Sequence, residues 1–249
     1  MSSAQLSRGY SQAFIRFLEI VRLAGLSRFG SSSSCMDQLF ITGGSGGLGQ
    51  AIVETFAGPS WQVTAPSRHE FDVSDLGGIQ TKLKFRKVDL LVCAAGITGD
   101  LPLMRLDEMT WADVIAVNYQ GAANCATAVL PQMVARGSGH VIFISSFAAL
   151  HPSIGQAAYA TAKAALLGLT TSLAQQYGHH GIRINAILPG FLETRMAESV
   201  SAKRKSDILT DHNLGRFNTP QAVAKFIRFL HEDLPHTSGQ IFQLDSRIS

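Results

Sequence analysis

The amino-acid sequence predicts an α/β protein with one parallel, doubly wound sheet and helices on both faces. From residue 37 onward, short apolar runs alternate with longer helical patterns, and a glycine-rich turn joins the first run to the first helix. Alternation of this kind is typical of βαβ units. Because such sheets bind ligands at the carboxyl ends of their strands, functional residues are expected in the turns that follow the strands.

The composition supports one folded domain with a sizeable core. The chain has 249 residues, of which 46% are hydrophobic and 16% charged, and this balance is typical of globular proteins. Its 3 cysteines are too few and too scattered for a disulfide framework or a metal site. No apolar run reaches the roughly 18 residues that a membrane span needs. Neither a metal nor a membrane span is therefore predicted.

Residues 1–35 are predicted to be an N-terminal extension to a main domain at 36–249. The extension has four arginines and one glutamate, and Tyr10–Phe29 is compatible with an amphipathic basic helix. This composition resembles an organelle transit peptide; the alternatives are a contact extension and an upstream start codon, with Met36 as the true beginning. The remaining residues have equal numbers of basic and acidic side chains, which argues against nucleic-acid binding. A cytoplasmic protein is expected, or a mitochondrial or plastid one if the extension is a transit peptide.

The elements of the main domain are predicted in chain order. Strands are expected at Leu39–Thr42, Trp61–Ala65, Val88–Cys93, His140–Ser145, Ile182–Leu188 and Gln240–Leu244. Helices are expected at Gln50–Ala57, Asp107–Gly137 (as one or two), Ile154–Tyr177 and Gln221–Leu230. Because only three residues separate Arg68 from Asp72-Val73, no helix is expected between the second and third strands.

The turn Thr42–Gly49, between a strand and a helix, has the context of a dinucleotide-binding loop. Its glycines allow a tight turn and let the backbone approach a pyrophosphate, which would rest on the helix N-terminus. The residues of this turn that are predicted to contact the cofactor are Gly43, Ser45, Gly47, Leu48 and Gly49.

The end of the second strand predicts which dinucleotide is bound. An acidic residue about 20 positions after the glycines would hold the ribose 2′-hydroxyl of NAD. This chain has Ser67 and Arg68 there instead, and a hydroxyl beside a guanidinium favours the 2′-phosphate of NADP. NADP(H) is therefore predicted over NAD(H), although Arg68 is also compatible with a plain surface role.

Tyr159 and Lys163 are candidate proton-transfer residues. They are four positions apart in a predicted helix, so they share one face. A lysine ammonium beside a phenol favours the phenolate and is expected to lower the pKa of the tyrosine. Such a phenol can give a proton to a carbonyl or take one from an alcohol.

The glycine turn, the Tyr159-xxx-Lys163 pair and Ser146, 13 positions before the tyrosine, together resemble the short-chain dehydrogenase/reductase family. Asn118 stands at the family's helix asparagine, and Pro189-Gly190 followed by Thr194 matches its cofactor-gripping segment. The likeness covers residues 37–245, and the motifs keep their order and spacing. Cys93-Ala-Ala-Gly96 departs from the family's usual Asn-Asn-Ala-Gly, and Asp245-Ser-Arg247 from its usual Asp-Gly-Gly.

The resemblance implies a Rossmann-type fold and four catalytic residues. Tyr159 would donate a proton to the substrate oxygen, Ser146 would hydrogen-bond that oxygen, and Lys163 would lower the tyrosine pKa and grip the nicotinamide ribose. Asn118 would bend its helix and position a water that feeds protons to the lysine. Ser146 is preferred to Ser145 because neighbours on a strand face opposite sides. The further cofactor-binding residues that the resemblance implies are Asp72, Val73, Ala95, Gly96, Tyr159, Lys163, Pro189, Gly190 and Thr194.

Within the family, the chain is most similar to β-ketoacyl-acyl carrier protein reductases, on the segments Pro189–Ser199, Leu214–Phe217 and Pro220-Gln-Ala-Val-Ala. The implied reaction is reduction of a 3-oxoacyl thioester, with acyl carrier protein or a CoA thioester as partner, in a homotetramer or homodimer. A dehydrogenase for a sugar, steroid or hydroxyacid is the alternative enzyme, and a non-catalytic dinucleotide-binding regulator is the alternative of another class. Lys203-Arg204-Lys205 is either a solvated face or a contact for phosphopantetheine or an acidic carrier.

Overall fold

The computed structural model describes residues 36–247. The predicted extension at 1–35 lies outside the described residues. Within 36–247, no helix is both long and apolar enough to cross a membrane.

Six parallel strands form one sheet in the order β2-β1-β3-β4-β5-β6, which confirms the predicted fold class. The strands are β1 (Asp37–Thr42), β2 (Trp61–Thr64), β3 (Leu90–Cys93), β4 (Gly139–Ile144), β5 (Ile182–Leu188) and β6 (Ile241–Gln243). The central strands are buried on both faces and rich in Val, Ile and Leu, as parallel sheets require.

Helices cover both faces of the sheet. They are α1 (Gly47–Thr55), α2 (Leu76–Leu83), α3 (Glu108–Ile115), α4 (Gly121–Arg136), α5 (Ala157–Tyr177), α6 (Ala202–Thr210) and α7 (Pro220–Glu232), and a π-helical turn at Ala116–Gln120 joins α3 to α4. Helix α1 packs on α7, while α2 packs on α4 and α3 on α5. The α1–α7 pair contributes Ile52, Val223 and Ile227 to a core cluster. The cluster also contains Phe56, just after α1, and Leu39 and Ile41 of β1.

Helix α2 contradicts the expectation that no helix separates the second and third strands. Asp72-Val73 belongs to a loop, and the third strand starts only at Leu90. Helix α2 begins after Asp75 and buries Ile79 and Leu83, four residues apart on one face. The crossover from β2 to β3 is therefore an ordinary helical one.

The crossovers from β1 reverse direction and create the ligand-binding crevice. The chain passes from β1 to β2 on one side and then returns to β3 on the other, with Thr42 of β1 beside Cys93 of β3 at their carboxyl ends. In doubly wound sheets ligands bind at this reversal. The glycine turn leaves β1 at this point, as predicted.

A histidine pair, of which His140 is buried and His231 half-buried, lies at the amino ends of the central strands. Asn185 donates its amide N–H to Nε2 of His140 (3.1 Å), because its own Oδ1 accepts from the backbone N–H of Gln240. Nδ1 of His140 therefore carries the proton and donates to Nδ1 of His231, 3.2 Å away. Burial, aided by the cationic Arg183, lowers the pKa of His140 well below its ordinary value and that of His231 to about 4.

Candidate active site

The glycine turn packs so closely on its neighbours that two of its positions have no room for a side chain. Gly43 has a φ of 73°, and a Cβ there would lie 2.9 Å from the backbone of Ala95. A Cβ on Gly47 would lie 2.7 Å from Cγ2 of Thr194. Glycine at these positions therefore lets the turn pack against Ala95 and Thr194. The free N–H groups at the N-terminus of α1 favour an anion.

Thr42 fastens the glycine turn to the segment after β3. Its Oγ1 accepts hydrogen bonds from the backbone N–H groups of Ala94 (3.2 Å) and Ala95 (3.1 Å). Cys93 and Ala94 stand where the family usually has asparagines, and Ala95 matches its alanine. Here the contact is made through the backbone, so the loss of the asparagine side chains leaves this junction intact.

A cavity of about 540 Å³ opens above the carboxyl ends of the strands. Its lining contains both members of the Tyr-Lys pair and most of the predicted cofactor residues. The predicted residues that line it are Gly43, Gly47, Leu48, Gly49, Gly96, Tyr159, Lys163, Pro189, Gly190 and Thr194. A volume of this size can hold a cofactor's reactive end together with a small substrate.

Lys163 is buried at the floor of this cavity. Its Nζ donates a hydrogen bond to the carbonyl oxygen of Ile144 (2.9 Å) and lies 5.7 Å from the ring centroid of Tyr159. Burial lowers the pKa of Lys163 to about 8. A lysine tuned in this way can release and recover a proton near neutral pH.

The expectation that Lys163 lowers the pKa of Tyr159 is wrong for this structure. Burial raises the tyrosine pKa, and the carboxylate of Asp100 adds to the rise, while a side-chain hydrogen bond with Ser146 opposes it. Desolvation disfavours the phenolate more strongly than the neighbouring hydroxyl favours it. Tyr159 is therefore held as the protonated phenol, which is the form that a proton donor needs.

The two adjacent serines have different partners. Ser145 is buried and donates its hydroxyl to the carbonyl oxygen of Lys163 (2.8 Å), which fixes α5 against the end of β4. Oγ of Ser146 accepts the N–H of Ala148 (3.2 Å) and hydrogen-bonds Tyr159. Only Ser146 of the pair is thus directed at the phenol, although the main cavity is lined by Ser145.

Asn118 lies inside the π-helical turn, so the helix deviates from α-helical geometry where the family resemblance implies a bend. Its Nδ2 donates to the carbonyl oxygens of Val114 (2.9 Å) and Ile97 (2.8 Å), while within residues 36–247 nothing donates to its buried Oδ1. A Cβ added to Gly96 would lie 2.7 Å from that Oδ1 and 3.5 Å from Nζ of Lys163. Gly96 therefore keeps a small polar space open between the amide and the ammonium.

A second cavity, of about 210 Å³, adjoins the glycine turn on the β2 side. The predicted cofactor residues that line it are Gly43, Ser45, Arg68, Asp72, Val73, Ala95 and Gly96. Ser67 is outside this lining, and its backbone N–H and hydroxyl both donate to Glu70. Arg68 is exposed, with Nε 3.9 Å from Oδ2 of Asp72.

The Pro189-Gly190 segment packs against a buried ionic cluster. Gly190 has a φ of 83°, and a Cβ there would lie 2.6 Å from Cβ of Asp245. The Asp245 carboxylate is fully buried and paired with Arg247, whose guanidinium stacks 3.5 Å from the ring centroid of Phe147. Asp245 and Arg247 thus link the Pro189-Gly190 segment to Phe147, the residue after Ser146.

Sequence reasoning missed two polar residues of the main cavity, Asp100 and Gln156. Nε2 of Gln156 donates to Oδ2 of Asp100 (3.0 Å), and both side chains line the cavity near Tyr159. No motif marks them. The available signal was their position, one shortly after the Gly96 turn and the other just before the helix that carries Tyr159.

The described residues fit a nicotinamide dinucleotide. The two cavities adjoin at the glycine turn and form one crevice, at the point where the strand order reverses. Among residues 36–247, no group donates to Oδ1 of Asn118, which lies near the buried Lys163 beside Gly96. This fold and site define a dinucleotide-binding protein in which Tyr159 and Lys163 line the same crevice.

Comparisons with known proteins identify the family. The pattern of the short chain dehydrogenase family matches residues 76–205. The 3-oxoacyl-[acyl-carrier-protein] reductase of Chlamydia trachomatis is 34% identical over 233 residues, which is 82% of this chain and 94% of the relative. The corresponding reductase of Escherichia coli is 33% identical over 216 residues, 78% of this chain and 88% of the relative.

A solved structure agrees in fold. It is described as an NAD(P)-dependent gluconate 5-dehydrogenase of Beutenbergia cavernae with NADP bound at low occupancy, and it is 26% identical with a TM-score of 0.80. The match covers 84% of this chain and 95% of that one. The chain belongs to the short-chain dehydrogenase family, and it is an oxidoreductase that uses a nicotinamide dinucleotide.

Proposed function

We propose that the protein is an NADPH-dependent reductase of 3-oxoacyl thioesters and that residues 36–249 form its single catalytic domain. The observation that carries this proposal is the convergence of Ser146, Tyr159 and Lys163 beside one cavity next to the glycine turn. The reductases of C. trachomatis and E. coli, both named for 3-oxoacyl-[acyl-carrier-protein], support the choice of substrate.

When bound, the dinucleotide supplies the hydride that reduces the substrate carbonyl carbon. Tyr159 donates its phenolic proton to the carbonyl oxygen, since burial keeps the phenol protonated. Ser146 donates a hydrogen bond to the same oxygen and stabilises the charge that develops there. Lys163, whose pKa is lowered to about 8, returns a proton to Tyr159. Asn118 borders the polar space beside Gly96 through which that proton reaches the lysine.

The residues around the cofactor position hold and orient it. The Gly43–Gly49 turn and the N-terminus of α1 would bind the pyrophosphate, and Pro189, Gly190 and Thr194 would close over the nicotinamide end. Ser67 and Arg68 support NADPH over NADH, because a hydroxyl and a guanidinium suit a 2′-phosphate. The remaining predicted residues, Asp72, Val73, Ala95 and Gly96, border the adenosine-side cavity.

We propose an acyl carrier protein or CoA thioester as the substrate carrier and a homotetramer or homodimer as the assembly, with α4 and α5 at a subunit contact. The basic residues Lys203, Arg204 and Lys205 begin α6, on the segment that follows the cavity residues Ser199 and Val200. They are suited to the phosphate of a phosphopantetheine arm, and a solvated face remains the alternative.

A substrate panel tests the proposal. Purified protein is incubated with NADPH or NADH and with an acetoacetyl thioester, 5-ketogluconate, a quinone or a steroid ketone, and the loss of reduced cofactor is followed. We expect the highest kcat/KM with the thioester and NADPH. A clear preference for 5-ketogluconate would instead support the sugar-acid alternative, which the fold match to the B. cavernae protein favours.

A further inference from the structure

Glu70 occupies the hydrogen-bond donors that a cofactor 2′-phosphate would use. One carboxylate oxygen of Glu70 accepts both the backbone N–H of Ser67 (2.8 Å) and its hydroxyl (2.7 Å). Two donors that converge on one anionic oxygen form the arrangement that also binds a phosphate oxygen. These hydrogen bonds lower the pKa of Glu70, so its carboxylate is charged at neutral pH.

The position of Ser67 makes this contact relevant to the cofactor. Ser67 follows β2, and a Cβ on Gly44 would lie 2.5 Å from Cβ of Ala65, so the glycine turn packs directly on the end of this strand. The next residue, Arg68, lines the cavity on the adenosine side. A dinucleotide laid along the crevice therefore places its adenosine ribose beside the Ser67–Glu70 turn.

The Glu70 carboxylate can move away from Ser67 without breaking the backbone hydrogen bonds of the turn. The carbonyl oxygen of Ser67 accepts the backbone N–H groups of Glu70 (3.1 Å) and Phe71 (2.9 Å), so backbone hydrogen bonds close the turn. Glu70 is exposed, and its side chain can reorient into water. Replacement of the carboxylate is therefore expected to leave the fold intact.

We propose that Glu70 is a residue that determines cofactor specificity: its carboxylate acts as an internal competitor of the 2′-phosphate at Ser67 and weakens binding of NADPH relative to NADH. This inference rests on the proposed function, because it assumes that the adenosine of a nicotinamide dinucleotide binds in this crevice. The 2′-phosphate of NADPH must displace the Glu70 carboxylate or bind beside its negative charge, whereas the 2′-hydroxyl of NADH can donate a hydrogen bond to that carboxylate. Arg68 opposes this effect, so the wild-type preference for NADPH is small.

The test compares the full-length wild-type protein with Glu70→Gln and Glu70→Ala by isothermal titration calorimetry. The probes are NADPH, NADH, adenosine 2′,5′-bisphosphate and 5′-AMP. We expect both variants to bind NADPH and the bisphosphate about fivefold more tightly or better, since a like charge a few ångströms away is removed. Binding of NADH and 5′-AMP is expected to stay equal or to weaken. Glu54→Gln removes an exposed carboxylate from α1 and serves as the control for bulk charge.

The outcomes separate the two proposals. If the wild type binds NADPH and NADH and the Glu70 variants leave the ratio of their dissociation constants unchanged, the inference is wrong and the proposed function stands. An equal change in Glu54→Gln would also overturn it. If the folded wild type binds neither dinucleotide, the proposed function fails and the inference fails with it.

Discussion

At the scale of single residues, the site depends on small polar spaces as much as on its reactive groups. Asn118 and Lys163 face each other across Gly96, where a single added methyl group would contact both. Lys163 and Ser146 adjoin Tyr159 from different elements, α5 and the turn after β4. Helical spacing predicts that Lys163 lies beside Tyr159, and the family resemblance implies Ser146 and Asn118 as further partners. The direction of the tyrosine pKa shift depends on burial, which only the folded structure shows.

Substitution of Gly96 by Ala should lower kcat, while the protein still folds. The new Cβ would lie 2.7 Å from Oδ1 of Asn118 and close the polar space beside Lys163. We expect kcat to fall at least about tenfold. Gly168→Ala is the matched control, because nothing lies within 4 Å of a Cβ at that helical position and the change should stabilise α5 slightly. Wild-type kcat in Gly96→Ala would contradict the role assigned to this space.

The pH dependence of reduction should report Lys163. Its pKa is lowered to about 8 by burial, so the ammonium form is lost as the pH rises through 8. Since kcat/KM reflects the free enzyme, kcat/KM for carbonyl reduction should decline above about pH 8. Initial rates between pH 6 and pH 10 measure this, with circular dichroism to confirm that the fold persists. A profile that stays flat to the alkaline end would exclude Lys163 as the proton source.

At the scale of elements, the sequence predicted the strands and the long helices well, because apolar runs and glycine turns mark them clearly. Helix α2 is not predicted from the sequence, because Gly77 and Gly78 weaken its pattern and the short spacing between Arg68 and Asp72 argues against a helix there. Its real signal was Asp75 followed by Ile79 and Leu83 at helical spacing. The Glu70 contact was also missed, because a side chain folding back onto Ser67 leaves no periodic pattern.

The π-helical turn between α3 and α4 should depend on Asn118. Removal of its amide in Asn118→Ala leaves the carbonyl oxygens of Val114 and Ile97 without their side-chain donor. We expect a loss of about 1–3 kcal/mol in the free energy of unfolding and a much larger relative loss of kcat. Urea denaturation and initial rates measure the two effects.

Thr127→Ala is the control for Asn118→Ala on the same helical segment. It removes a single exposed hydrogen bond, from the threonine hydroxyl to the carbonyl oxygen of Ala123. Its stability should change by about 0.5 kcal/mol or less, with kcat unaffected. Equal kcat values for Asn118→Ala and Thr127→Ala would show that the turn has no part in the reaction.

At the scale of the whole molecule, the two ends of the sheet have separate tasks. The carboxyl ends of the strands hold the crevice, and the amino ends hold the neutral His140–His231 pair with Asn185 and Arg183. The sequence could predict the first end from motifs. It could not predict the second, because isolated histidines carry no pattern until the fold brings them together.

The histidine pair should make the protein sensitive to acid. His231 has its pKa lowered to about 4 by burial and by Arg183, with Glu232 and Asp89 opposing the shift. Between its ordinary value of 6.5 and 4, the unfolded state binds more protons than the folded state, so stability falls as the pH decreases. The wild type should lose about 2 kcal/mol more between pH 7 and pH 5 than His231→Gln.

Urea denaturation at the two pH values measures this difference for the wild type, for His231→Gln and for His236→Gln, an exposed control. The control should follow the wild type. An identical loss of stability in all three proteins would show that the pair is not the source of acid sensitivity.

The most direct test of the central claim is carbonyl reduction by Tyr159→Phe. The substitution removes only the phenolic oxygen, which donates the proton in this account, and leaves the ring packed beside Lys163. Calorimetry should show NADPH bound within about threefold of the wild-type affinity, while the rate of acetoacetyl thioester reduction falls by a factor of about 100 or more. Undiminished reduction by a folded Tyr159→Phe protein would contradict the assignment of Tyr159 as the acid and, with it, the proposed mechanism.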